Sequence, residues 1–66
     1  MNITINGREE AIEKTLTLQE LLKIKNIRSE IVVVEMNKEI IDKDKFKNTL
    51  IKDKDILEII HFIGGG

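Results

Sequence analysis

The chain opens on a strict alternation. Met1, Ile3 and Ile5 are apolar, and Asn2, Thr4 and Asn6 between and after them are polar. That period of two predicts a half-buried strand. Asn6-Gly7 follows; both residues tolerate positive φ, so the pair predicts a hairpin turn. Arg8 to Ile12 then returns as a second strand, exposed through Glu9 and Glu10. The period next lengthens to that of a helix. Leu18, Leu21, Leu22 and Ile24 fall on one apolar face. Thr17-Leu18-Gln19-Glu20 fits a capping box with Thr17 at the N-cap, and Leu16 is placed to staple onto Leu21. Lys23 and Lys25 lie near the helix C-terminus, where cations favour the dipole, and Asn26 suits the left-handed residue that ends it.

The β-branched run from Ile31 to Met36 predicts a third strand. Val32, Val34 and Met36 are expected inward, Val33 and Glu35 outward. Asn37-Lys38 reads as a tight turn into a short strand, Glu39 to Ile41. The charged segment Asp42 to Asn48 has Phe46 as its anchor, Asp53-Lys54-Asp55 reads as another turn, and Ile56 to Ile63 is the last strand. The order β-β-α-β-β-β predicts an α+β domain with a mixed sheet of four to five strands and one helix packed on one face.

Composition narrows what such a domain can do. Sixty-six residues make one domain, and a chain of this size buries only about 60% of its unfolded surface. No Cys and a single His exclude disulfides and a thiolate zinc site. Eleven basic against twelve acidic residues argue against electrostatic nucleic-acid binding, as do two Phe with no Tyr or Trp to stack on bases. No apolar run approaches a membrane span, and the N-terminus lacks a signal-peptide pattern. A cytoplasmic location without membrane contact is expected. His61 has no Cys or Ser nucleophile to serve, and is expected to pack at the sheet edge. The alternating Asp and Lys residues from Asp42 to Asp55 read as a solvated surface.

Three of the four glycines are residues 64–66. At an average usage of about 7%, three in a row at a fixed position arise by chance roughly three times in ten thousand. Glycine lets a backbone pass where any Cβ would clash, so the tail suggests that the carboxylate of Gly66 is itself the reactive group. Residues 1–63 are expected to form the domain and residues 64–66 a flexible glycine tail.

The Asn6-Gly7 hairpin, Thr17-Leu18-Gln19-Glu20-Leu21-Leu22, the stretch Val34 to Ile41 and the strand ending in Gly-Gly together resemble the thiamine-biosynthesis sulfur carrier family (ThiS). The resemblance covers essentially the whole chain and implies a β-grasp, ubiquitin-like fold. Where the family has Val-Pro-Arg, this chain has Ile41-Asp42-Lys43, which removes a possible Arg contact and leaves open whether Lys43 replaces it. Phe46 stands for the family's Trp, and Asp53-Lys54-Asp55 for its Asp-Gly-Asp turn. Gly64 occupies a position often Ala, so it is a spacer; Gly65 and Gly66 carry the function.

The resemblance implies a co-substrate and not an enzyme, with no catalytic residue, no metal site and no bound cofactor. An activating enzyme of the ThiF type, using ATP and magnesium, would adenylate Gly66. A persulfide donor (a cysteine desulfurase) would convert the adenylate to a thiocarboxylate, and thiazole synthase of the ThiG type would receive the sulfur. Alternation along the last strand puts Leu57 and Ile59 toward the helix. Ile60, Phe62 and Glu58 then lie on the open sheet face, with Val33 extending it as a partner-binding surface. A carrier for molybdopterin or tRNA thiolation, or a ubiquitin-like interaction module with an unreactive tail, fits the same features.

Overall fold

A computed structural model describes residues 1–62. The expected ends of the last strand and of the domain, at Ile63, and the three tail glycines lie outside the described residues. Five strands form one sheet: β1 (Asn2–Ile5), β2 (Arg8–Ala11), β3 (Val32–Met36), β4 (Glu39–Ile41) and β5 (Ile56–His61). They lie in the order β2-β1-β5-β3-β4. Helix α1 (Leu18–Ile24) packs on one face, and 3-10 segments at Ser29–Ile31 and Lys43–Asn48 complete the chain. The sheet is mixed: β1 and β5 run parallel, and the other neighbours are antiparallel.

Local signals set most of these boundaries. Asn6 and Gly7 both have positive φ, 50° and 82°, which matches the twist of a two-residue hairpin. Asn37 and Lys38 repeat the pattern at 52° and 74°. The capping box forms: the Glu20 N–H donates to Thr17 Oγ1 at 3.1 Å, and the Thr17 N–H donates to Glu20 Oε1 at 2.8 Å. Asn26, at φ 59°, turns the chain out of the helix.

The core forms between the helix face Leu18, Leu21 and Leu22 and the inward residues Ile3, Ile5, Val32, Val34, Met36, Leu57 and Ile59. Leu16, Phe46 and Ile51 belong to the same cluster. The segment carrying Phe46 is tied to the helix entry, because the Leu18 N–H donates to the Thr49 carbonyl at 2.7 Å and the Ile51 N–H to the Leu16 carbonyl at 2.9 Å.

Four expectations are corrected. Ile24 is 60% exposed: a helix of seven residues ends before its apolar stripe returns to the sheet. Ile31 belongs to a 3-10 turn and not to β3. His61 sits on the central strand, paired with Val32, and is exposed rather than packed at a sheet edge. Asp55, read as part of a solvated run, is buried. Its Oδ1 accepts from Asn37 Nδ2 at 2.9 Å and its Oδ2 from the Lys52 N–H at 2.7 Å, so the carboxylate closes the turn before β5. None of the described helices is long and apolar enough to cross a membrane.

Asp55→Ala strands two donors at this turn and is expected to lower unfolding free energy by about 1–3 kcal/mol in urea titration. Lys54, at φ 72°, occupies the left-handed region that costs a side chain about 1–2 kcal/mol. Lys54→Gly is expected to raise stability by about 1 kcal/mol in the same titration, after the entropy glycine loses on folding.

Candidate functional site

The last described residues, β5 and Phe62, lead into the glycine tail, and β5 is the central strand. It is held from both sides. The Val32–His61 to Met36–Leu57 pairs bind it to β3, whereas β1 pairs with it only at Ile56 and Leu57. Asn6 continues the β1 side past the end of that strand. Its N–H donates to the Leu57 carbonyl at 2.9 Å. Its Oδ1 accepts from the Ile59 N–H at 2.8 Å, and its Nδ2 donates to the Ile59 carbonyl at 3.3 Å. Asn37 does the same at the strand's start: its Oδ1 accepts from the Ile56 N–H at 2.9 Å, and its N–H donates to the Ile56 carbonyl at 2.8 Å. From the sequence both asparagines read as turn residues only. Nothing in the sequence pairs them with β5.

Because side chains alternate across a strand, β5 divides its residues between the two faces. Leu57 and Ile59 are buried under the helix. Ile56, Glu58 and Ile60 point to the open face, and Ile60 is 55% exposed. Phe62, just past the strand, is 51% exposed. Val33, half-buried, lies directly opposite Ile60. Of the expected partner residues, Ile60, Glu58 and Val33 therefore share the open face, and Phe62 follows, exposed, past the end of β5. Two further residues join them. Glu35 lies opposite Glu58 across β3 and β5, and Ile40 lies beside Glu35 on β4, 68% exposed. Glu35 was expected outward but given no role, and Ile40 was missed because its place beside Glu35 depends on register.

Chemically, the face combines an apolar patch with two opposed carboxylates. Like charges directly across a strand pair are unfavourable, and the only ion pair among the described residues, Lys25 with Glu10 at 2.6 Å, lies elsewhere. The face therefore suits a surface that covers Ile60 and Ile40 and brings a cation to Glu35 and Glu58. Among the described residues no group of three or more His, Cys, Asp or Glu side chains could hold a metal ion. Gly65 and Gly66, expected to carry the chemistry, and the spacer Gly64 lie outside the described residues.

Comparison with known proteins gives a consistent set of likenesses. A model of the ThiS family matches residues 2–66. A protein of Bacillus subtilis (strain 168) named sulfur carrier protein ThiS is 42% identical over 65 residues, which are 97% of this chain and 98% of that protein. The crystal structure of the thiamine biosynthesis protein ThiS from Geobacter metallireducens superposes with a TM-score of 0.86 at 36% identity, over the whole of both chains. A thiazole synthase from Paramagnetospirillum magneticum is 39% identical over all 66 residues, which span 20% of its length.

The assignment of faces predicts an asymmetry between neighbouring isoleucines. Ile59→Ala should cost about 2–5 kcal/mol of stability. Ile60→Ala should change it by less than about 1 kcal/mol, as expected for a half-exposed strand position. Chemical denaturation of the two variants checks this.

Proposed function

The chain belongs to the ThiS family, the sulfur carriers of thiamine biosynthesis, and on that premise we propose that the Gly66 carboxylate is the group that carries the sulfur. A carboxylate is a poor electrophile and needs activation. In the proposed cycle an oxygen of Gly66 attacks the α-phosphorus of ATP on an activating enzyme of the ThiF type, where magnesium assists, and pyrophosphate leaves. The outer sulfur of a persulfide donor, a cysteine desulfurase by class, attacks the acyl carbon and AMP leaves. A thiol then breaks the resulting sulfur–sulfur bond and is itself oxidised to a disulfide, leaving the thiocarboxylate on Gly66. The carrier is a co-substrate throughout.

The observation that carries this reading is the position of the open face. Ile60 and Phe62 lie exposed close upstream of the glycines, with Ile63 alone between Phe62 and Gly64, so a partner docked on them has the terminus within reach. Four extended residues beyond Phe62 span roughly 13–14 Å. Gly65 and Gly66 add no Cβ to that span, and Gly64 serves as a spacer. Glu35 and Glu58 favour a basic group on the docked partner. A thiazole synthase in which one fifth of the length is similar to this whole chain supports thiazole synthase, of the ThiG type, as the acceptor of the sulfur. It favours the thiamine pathway over molybdopterin synthesis or tRNA thiolation.

Intact-mass spectrometry tests the proposal. After incubation with an activating enzyme, ATP, magnesium and a persulfide source, the protein should carry one sulfur in place of one oxygen at its C-terminus. Deleting Gly66 should abolish the change. Phe62→Ala and Ile60→Ala should slow it. An unchanged mass under conditions in which a known carrier reacts would sink the reading.

A further inference from the structure

Lys43 opens the 3-10 segment that follows β4. Its ammonium donates to the Glu30 carbonyl oxygen at 2.9 Å and lies 5.2 Å from the centroid of the Phe62 ring. The Phe62 N–H donates to the Ile31 carbonyl at 2.9 Å. Two adjacent residues of one turn thus hold the last described residue before the tail. Ile31 grips its backbone, and Glu30 fixes the lysine that lies at its ring. A cation at an aromatic face is attracted by the ring quadrupole, and a cation already held by a carbonyl has less freedom to lose in making that contact.

The position matters because Phe62 lies beyond the last ladder pair, His61 with Val32, and half its surface is exposed. An angular error at the base of a tail grows along it. Once a partner enzyme holds the tail extended, over a reach of roughly 13–14 Å, a swing of about 20° at Phe62 displaces the terminus by about 5 Å, and far smaller misplacements of a reacting group slow chemistry.

Given Gly66 as the loaded group, we propose that Lys43 is a positioning residue for sulfur loading. By holding the Phe62 ring, it sets the point and direction from which the Gly66 carboxylate reaches the activating enzyme. The lysine acts within the carrier, through Phe62, and not by touching the enzyme. Arginine, which also offers a cation to an aromatic face, should serve in its place; a neutral side chain of similar length should not.

The test is the rate of pyrophosphate release by the activating enzyme with wild-type carrier, Lys43→Met, Lys43→Arg, Phe62→Leu and the double variant Lys43→Met/Phe62→Leu. Lys43→Met should lower kcat/KM about two- to five-fold, the weight of a half-exposed cation–π contact. Lys43→Arg should stay close to wild type. Phe62→Leu should lose activity, and adding Lys43→Met to it should cost nothing more. In NMR spectra, Lys43→Met should move the Phe62 ring resonances and leave the core amides in place, a shift that a change in overall stability would not produce. If Lys43→Met matches wild type, or if the two losses multiply in the double variant, Lys43 does not act through Phe62 and the proposal fails. A wild-type protein that supports no pyrophosphate release would instead overturn the carrier reading on which the proposal rests.

Discussion

The structure depends on the insertion of β5 between β1 and β3. The two hairpins, β1–β2 and β3–β4, can each pair locally, but neither is joined to the other until the last strand bridges them. Long-range pairing of this kind must first overcome loop-closure entropy. The bridge is secured by more than the strand ladder. Asn6 and Asn37, each in a left-handed turn conformation, offer side-chain amides to the backbone of Ile59 and Ile56. An asparagine tolerates positive φ better than most residues and brings a donor and an acceptor with it. The same residue type therefore ends each hairpin and fastens the central strand.

That arrangement couples stability to presentation. β5 supplies Leu57 and Ile59 to the core and Ile60 to the open face, so the strand that completes the fold also displays the exposed surface that precedes the glycines. A core this small leaves little redundancy. A single helix of seven residues covers one face of the sheet. The other face keeps half-exposed isoleucines and two opposed carboxylates, a combination that makes physical sense when a partner covers it.

Several features were legible in the residues because they are local. The Asn6-Gly7 turn, the Thr17–Glu20 capping box, the β4 strand from Glu39 to Ile41 and the inward and outward sides of β3 and β5 follow from backbone preference and from a period of two. The glycine tail and the family resemblance pointed to a sulfur carrier, and the family match bears that out. Lys54 stands where the family resemblance implies the glycine of an Asp-Gly-Asp turn. Its φ of 72° is one that glycine adopts without the cost that a Cβ incurs. Ile24 went wrong because periodicity marks a face but not where the helix stops, and Asp55 because an acidic residue in a charged run carries no local mark of burial.

The residue pattern alone was enough for the five strands, the helix start and the faces of β3 and β5, since each rests on interactions within a few positions of the chain. Strand order, the neighbours of β5 and the meeting of Lys43 with Phe62 came from the folded chain. Those contacts join residues that are far apart in sequence. Their existence depends on how the two hairpins and the last strand dock, and period and propensity carry no information about docking.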